Sequence, residues 1–195
     1  WERALSQPTK AVFIETPSNP LMDIVDIKMV SEIAHKVGAT VIVDNVMASP
    51  IYQKPLELGA DVVMYSTTKH IDGQGRVLGG AVLGSAKYIT EQFQPFIRHT
   101  GPALSPFNAW VMVKSLETMQ MRVERMNSNA QAVAEFLEQN AKIKAVRYPG
   151  LKSHPQHQLA MNQMHGAGGT TIGIEFKGDK QSAFKFMNAL RVIDI

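Results

Sequence analysis

The stretch that decides the fold is VVMYSTTKHIDGQG, which runs from Val62 to Gly75. Its apolar run ends at Tyr65, and three hydroxyl residues then lead to Lys69 and a segment with two glycines. A short apolar run followed by turn-forming residues is typical of a buried strand that ends in a loop. The sequence therefore predicts a strand whose carboxyl end carries hydroxyl groups and one lysine.

Three more apolar runs predict strands of the same kind. They are AVFIE (Ala11 to Glu15), TVIVD (Thr40 to Asp44) and GGAVLG (Gly79 to Gly84). Between the first two, apolar residues recur at helical spacing from Ile27 to Val37. Nearly continuous apolar strands interleaved with a helix favour an α/β fold with a mostly parallel sheet.

The second half of the chain predicts a long helix followed by shorter elements. Ser105 to Asn140 contains no glycine, and we expect one helix, bent or interrupted near Asn127-Ser128-Asn129. IKAVRYPG and TIGIEF then predict strands, HPQHQLAMNQM and SAFKFMNAL predict helices, and LRVIDI predicts a further strand. We therefore divide the chain into residues 1–126, a large domain, and residues 127–195, the start of a smaller α+β domain. Both are expected to be incomplete.

The composition excludes several classes of protein. Hydrophobic residues make up 45% of the chain and charged residues 19%, which is typical of a globular protein rather than a disordered one. The net charge of +3 comes from scattered residues, so we expect no nucleic-acid partner. No apolar run reaches the roughly 18 residues of a membrane span, and the absence of cysteine favours a cytoplasmic location.

The predicted strand ends carry groups that can act together on a ligand. In open parallel sheets, ligands bind beyond the carboxyl ends of the strands, where we expect Asn19, Asp44, Ser66, Thr68 and Lys69 to converge. Pyridoxal phosphate needs a reactive amine, a carboxylate beside its ring nitrogen and a cup of donors around its phosphate. The residues favour this cofactor, but a solvated loop and a nucleotide phosphate remain alternatives, although neither GxxxxGK[ST] nor a helix-opening GxGxxG is present.

Six collinear blocks carry a resemblance to a known family: ETPSNP, VIVDN, YSTTKHIDGQG, GPALSPFNAW, LETMQMRVERM and YPGLKSHPQHQLA. Together they resemble the Cys/Met-metabolism family of pyridoxal-phosphate enzymes. HIDGQGR, from His70 to Arg76, looks like the version in its O-succinylhomoserine sulfhydrylase branch. Val46 stands where relatives often have a threonine, which puts any hydroxyl contact there in doubt.

The resemblance implies a role for each of the five residues at the strand ends. Lys69 is the expected Schiff-base lysine and catalytic residue, and Asp44 the partner of the pyridine nitrogen. Ser66 and Thr68 are expected to bind the cofactor phosphate. Asn19 is expected near the phenolic oxygen of the ring. No metal is implied.

The resemblance also implies a fold, a reaction and an assembly. The fold is the aspartate-aminotransferase-like domain (fold type I), followed by part of a smaller α+β domain. The reaction is γ-replacement on O-succinylhomoserine by sulfide, giving homocysteine, with cystathionine γ-synthase and methionine γ-lyase as alternatives. A catalytically inactive cofactor-binding or assembly protein is the alternative from another class. A homotetramer of dimers that share active sites is expected. A ring-stacking tyrosine and a carboxylate-binding arginine are expected outside Trp1 to Ile195.

Several polar residues have two possible interpretations. His70 is a candidate for shaping the pocket beside Lys69, and Arg76 is either a ligand for a succinyl carboxylate or part of a structural salt bridge. Arg122, with Glu124 and Arg125, is predicted to form a solvated or interdomain charge cluster. His154 and His157 are three residues apart, but Pro155 separates them and we favour a structural loop over a metal site.

Overall fold

The computed structural model of the protein describes residues 1–193. Its main sheet has four strands, side by side in sequence order: β1 (Ala11–Glu15), β2 (Thr40–Asp44), β3 (Val62–Ser66) and β4 (Gly80–Gly84). The first three are parallel, with Glu15 opposite Asp44 and Asp44 opposite Met64, whereas β4 is antiparallel to β3. The carboxyl ends of β1, β2 and β3 therefore share one edge of the sheet.

The helices are α1 (Ile27–Lys36), α2 (Ser49–Tyr52), α3 (Ala86–Tyr88), α4 (Gln94–Thr100), α5 (Pro106–Glu138), α6 (His157–Gln163) and α7 (Lys180–Asn188). A second sheet pairs β5 (Ile143–Arg147) with β6 (Gly173–Phe176) in antiparallel fashion. Helices α1, α5, α6 and α7 and strands β5 and β6 lie where the sequence predicts them, whereas α2, α3 and α4 were not predicted. Within residues 1–193, no helix is both long and apolar enough to cross a membrane.

The predicted strand at LRVIDI has a mixed outcome. Leu190 to Ile193 carry no strand, whereas Asp194 and Ile195 lie outside the described residues. The apolar residues of this segment predicted a strand, but a strand forms only where a partner supplies its backbone hydrogen bonds.

Helix α1 packs against β1 and β2 and forms a hydrophobic core with them. The Asp26 side chain caps it by accepting from the Met29 N–H at 2.9 Å, and Gly38 follows its end at a φ of +73°. Its buried residues Ile27, Val30 and Ala34 pack with inward-facing residues of β1 and β2. This packing fixes the positions of β1 and β2 relative to each other, and therefore the positions of their carboxyl ends.

Helix α5 is a single helix of 33 residues, so the interruption predicted near Asn127-Ser128-Asn129 is wrong. Asparagine often ends helices because its side chain competes for backbone hydrogen bonds. Here the Asn127 Oδ1 instead accepts from the backbone N–H groups of Gly168 and Gly169, at 3.2 and 3.0 Å. A tertiary contact therefore uses the group that would otherwise favour a break.

Helix α6 joins the later part of the chain to the earlier part. Ala160 and Met164 pack with Ile24 and Ala48 in one buried cluster. The Gln163 Oε1 also accepts from the Ile27 N–H at 3.1 Å. The division between residues 1–126 and 127–195 stays a prediction, and α5 runs across it without a break.

A buried network of amide side chains lies directly behind the strand ends. The Asn45 Nδ2 donates to the Tyr65 hydroxyl and to the Gln53 carbonyl, both at 2.8 Å. The Gln53 Nε2 donates to the Asn45 Oδ1 at 2.7 Å and to the Thr16 carbonyl at 2.8 Å. Thr16 directly follows β1, Asn45 directly follows β2, and Tyr65 is the penultimate residue of β3. The network therefore links the carboxyl ends of all three strands.

We predict that Asn45→Ala lowers the free energy of unfolding by about 2–4 kcal/mol, since buried partners lose their hydrogen bonds. Urea unfolding followed by circular dichroism measures this change. Asn129→Ala, at an exposed position of α5, is the control and is expected to stay within about 0.5 kcal/mol of the wild type. Equal stability of the two variants would contradict the importance of the network.

Candidate functional site

The turn that follows β3 displays Lys69. Residues Thr67–Ile71 form one wide helical turn, in which the Asp72 N–H donates to the Thr67 carbonyl at 2.8 Å. Lys69 departs from helical geometry, with φ −85° and ψ −112°, and its side chain is exposed. The turn carries Lys69 three residues past the end of β3, which leaves its side chain accessible to solvent.

Asp44 lies at the end of the strand beside β3. It is half-buried, and its Oδ1 accepts from the Val46 N–H at 3.1 Å. Since Asp44 is opposite Met64, it stands two residues before Ser66 in the register of the sheet. Val46 thus holds the carboxylate through its backbone, and its buried side chain offers no hydroxyl.

The three hydroxyl residues before Lys69 have different surroundings. The Thr68 Oγ1 accepts from the Gly79 N–H at 3.0 Å, and its own proton has only the Gly79 carbonyl at 3.4 Å. That contact is long for an O–H donor, so the proton can turn towards an anionic oxygen. The Thr67 Oγ1 is buried without a hydrogen-bond partner among the described residues. Ser66 is half-buried.

Asn19 lies beyond the end of β1. It is exposed, and its backbone N–H donates to the Glu15 Oε2 at 3.2 Å, which keeps the loop close to the strand end. Two strand spacings separate β1 from β3, or roughly 10 Å. The structure thus places all five predicted residues along one edge of the sheet, with Asn19 in the loop that follows β1, the strand farther from β3.

A cavity of about 360 Å³ opens beside Lys69. Its described lining consists of Met47, Lys69, His70, Gly73, Met126, Thr170 and Thr171, so Asp44 is not part of it. The sequence did not single out Thr170 and Thr171, because no motif marks the loop that precedes β6. A larger cavity of about 630 Å³, lined in part by His35 and Asp61, lies near the amino ends of β2 and β3 and contains none of the predicted site residues.

His70 lies in the turn Thr67–Ile71, the lysine turn, and connects it to two other segments. Its Nδ1 lies 3.0 Å from the Val46 carbonyl, and its Nε2 lies 2.6 Å from the Thr170 Oγ1. Burial lowers the pKa of His70 and outweighs the opposing effect of the Val46 carbonyl, while the charges of Arg122 and Lys69 lower it further. The neutral ring therefore donates from Nδ1 and accepts the Thr170 hydroxyl proton at Nε2.

Arg76 forms a structural ion pair, the second of its two interpretations. Its backbone N–H and its Nε bind the carboxylate of Asp72 at 2.6 and 3.0 Å, and its Nη2 donates to the Ser115 Oγ at 2.7 Å. Burial tends to raise the pKa of Asp72, but the hydrogen bonds and charge of Arg76 lower it below its ordinary value. Asp72 therefore stays ionised and ties the glycine-rich segment to α5.

The chain is similar to known proteins in both sequence and fold. The chain is 55% identical over 198 residues to an O-succinylhomoserine sulfhydrylase of Mycobacterium tuberculosis, and 47% identical over 195 residues to one of Pseudomonas aeruginosa. Both alignments cover 100% of this chain and 49% or 48% of the relative, so the chain spans about half the length of these proteins. A crystal structure of cystathionine γ-synthase from Xanthomonas oryzae pv. oryzae, in complex with aminoacrylate and cysteine, superposes with a TM-score of 0.95 at 40% identity, covering 99% of this chain and 50% of that one.

The fold class that these observations define is the aspartate-aminotransferase-like fold (fold type I) of pyridoxal-phosphate enzymes, as predicted. The sequence model of a protein family, described as Cys/Met metabolism PLP-dependent enzyme, matches residues 1–195. The chain belongs to that family.

The residues at the sheet edge fit the cofactor of this family. The amine of Lys69 is exposed and accessible, the Asp44 carboxylate lies on the adjacent strand, and the Thr68 hydroxyl has a proton free to reorient. An aldehyde, a protonated ring nitrogen and a phosphate need these three kinds of group. The donor set is therefore consistent with pyridoxal phosphate.

We predict that His70→Gln flattens the dependence of stability on pH. Because the folded state lowers the pKa of His70, the unfolded chain binds more protons below about pH 6.5, and the free energy of unfolding falls as the pH drops through that region. His154, whose pKa burial also lowers, contributes in the same direction, so the slope should shrink rather than vanish. Urea unfolding at a series of pH values measures the slope.

The matched control for this experiment is His99→Gln, at an exposed position near the end of α4. It should keep the wild-type slope. Identical slopes for His70→Gln and the wild type below pH 6.5 would contradict a buried, neutral His70.

Proposed function

We propose that the protein is a pyridoxal-phosphate-dependent transferase that replaces the γ-substituent of O-succinylhomoserine with sulfide, giving homocysteine for methionine biosynthesis. The observation that carries the proposal is the placement of Lys69 and Asp44 beyond neighbouring parallel strands, at one edge of the sheet. The HIDGQGR segment and the 55% identity to an O-succinylhomoserine sulfhydrylase support the choice of substrate and nucleophile. A cytoplasmic homotetramer built from dimers is part of the proposal.

In this proposal the chain's own residues hold the cofactor and move protons. The cofactor supplies an electron-accepting ring when it is bound. Lys69 would hold the cofactor through its aldehyde, and its amine, once free, would take the α-proton of the substrate and transfer protons at the β-carbon. Asp44, oriented by the Val46 N–H, would keep the ring nitrogen protonated. Ser66 and Thr68 would bind the phosphate, and Asn19 would approach the phenolic oxygen.

The net reaction exchanges one group at the γ-carbon. The bond from this carbon to the succinate oxygen breaks, and succinate leaves with the bonding electrons. A hydrosulfide then adds to the same carbon, and homocysteine results. Lys69 returns each proton that it takes, so the enzyme ends in the state in which it began.

Two members of the same family are the rival assignments. The solved cystathionine γ-synthase at 40% identity supports the first rival, in which cysteine replaces sulfide. Methionine γ-lyase is the second. An inactive cofactor-binding protein is the candidate from another class, and the presence of both Lys69 and Asp44 favours an active enzyme over it.

We expect the holoenzyme to form homocysteine from O-succinylhomoserine and sulfide faster than it forms cystathionine when cysteine replaces sulfide. The reason is the identity of the chain to sulfhydrylases. Mass spectrometry of the products, with both nucleophiles at equal concentration, makes the comparison. Faster formation of cystathionine would support the synthase, and thiol release from methionine would support the lyase.

We expect Lys69→Ala to abolish both turnover and the covalent attachment of the cofactor, since no amine remains to bind the aldehyde. Borohydride reduction of the wild-type holoenzyme, followed by peptide mass spectrometry, should place the reduced adduct on Lys69. Attachment to a different lysine would refute the assignment.

Asp44→Asn is the matched variant for this experiment. It should keep the adduct on Lys69, because the amine is intact, but lose most of kcat, because an amide cannot stabilise the ring proton as a carboxylate does. Wild-type kinetics in Asp44→Asn would remove Asp44 from the mechanism.

A further inference from the structure

Arg122 departs from the solvated or interdomain charge cluster predicted for it. It is half-buried on α5, and its guanidinium reaches across to the lysine turn. Its Nη1 donates to the carbonyl of His70 at 3.0 Å, and its Nη2 donates to the carbonyl of Ile71 at 3.1 Å. The two carbonyls that directly follow Lys69 are therefore held by one side chain from another element.

The guanidinium is itself fixed by its own helix. Its Nη2 also donates to the Ser115 carbonyl at 3.0 Å, and its Nε donates to the Thr118 Oγ1 at 3.2 Å. Four hydrogen bonds thus constrain a planar group whose donors have a rigid fork geometry. If lysine replaced Arg122, its single side-chain nitrogen would lack the forked donor geometry with which the guanidinium spans two adjacent carbonyls.

Gly73 is shaped to the same contact. A Cβ at this position would lie 1.8 Å from the Nη1 and 2.5 Å from the Cζ of Arg122, so any side chain here would displace the guanidinium. Gly73 also has a φ of +70°, and it lines the cavity beside Lys69. The contact therefore depends on both residues, because the guanidinium of Arg122 occupies the space that a side chain at residue 73 would need.

The same helix also forms a wall of that cavity. Met126, one turn after Arg122, lines the space beside Lys69. Ser115, two turns before Arg122, bonds through its hydroxyl to the Asp72–Arg76 pair. Helix α5 thus lies against the segment around Lys69 at three positions, and Arg122 is the one that donates hydrogen bonds to the turn itself.

We infer that Arg122 is a positioning residue for Lys69: by binding the carbonyls of His70 and Ile71, it fixes where the lysine amine stands relative to the reacting carbons. The inference deepens the proposed function and rests on the role given there to Lys69. Arg122 does not touch the reacting atoms. It acts through the backbone of the turn, and misplacement of a reacting group by about 1 Å can cost roughly 100-fold in rate.

The test compares Arg122→Met and Arg122→Lys with the wild-type holoenzyme. Both variants should lower kcat by roughly 10- to 100-fold with little change in KM. The kcat of Arg122→Lys should be no higher than that of Arg122→Met, because both variants lack the bidentate contact. The pH midpoint of the visible absorbance of the lysine-bound cofactor should shift in both. Arg125→Met, at an exposed position on the same helix, is the control and should match the wild type.

A pair of glycine variants tests the contact without changing Arg122. Gly73 and Gly75 have φ values of +70° and +65°, so alanine strains the backbone similarly at both positions. Only at residue 73 would the new Cβ meet the guanidinium, whereas nothing lies within 4 Å of a Cβ at residue 75. Gly73→Ala should therefore reproduce the kcat loss and the absorbance shift of Arg122→Met, and Gly75→Ala should show a much smaller effect.

The outcomes separate this inference from the proposed function. If the wild type runs another reaction of the family, the proposed function fails, but the kcat loss and the absorbance shift still test Arg122. If Lys69 carries no cofactor, both the proposed function and the inferred role fail. Wild-type kcat and absorbance midpoint in Arg122→Met, or equal effects of Gly73→Ala and Gly75→Ala, would overturn the inference alone.

Discussion

The structure depends on the parallel pairing of β1, β2 and β3, which brings their carboxyl ends to one edge of the sheet. Antiparallel pairing would send alternate ends to opposite edges, and Asp44 and Lys69 would then lie a full strand length apart. The core beneath α1 and the buried amides of Asn45 and Gln53 keep the strand ends level. All the chemistry assigned to this chain follows from that shared edge.

The turn after β3 is held by side chains rather than by burial. His70 links it to the segment after Asp44 and to Thr170, Asp72 links it to Arg76, and Arg122 binds its carbonyls. Lys69 itself stays exposed. In the proposed reaction the Lys69 amine changes partners, and such a support would let the side chain move while its backbone stays in place.

Strands β1 to β6 and helices α1, α5, α6 and α7 were predictable from the sequence because their signals are local. Apolar runs such as TVIVD and the glycine-free stretch after Ser105 specify their own periodicity. The continuity of α5 through Asn127 was not predictable, since it depends on N–H groups about 40 residues away. The contacts of Arg122 and Thr170 with the turn escaped prediction for the same reason, and the exposure of Lys69 depends on how the turn leaves the sheet. The antiparallel direction of β4 also has no local signature, because an apolar run has the same pattern in either direction.

The tight fit between Gly73 and the guanidinium of Arg122 constrains how this protein can evolve. A side chain at residue 73 would collide with the guanidinium while the arginine is present, and loss of the arginine would leave two backbone carbonyls without these donors. On the inferred role of Arg122, each single change would weaken the support of the lysine turn. Descendants of this gene should keep both residues or exchange them together, so the pair is expected to be inherited as a unit.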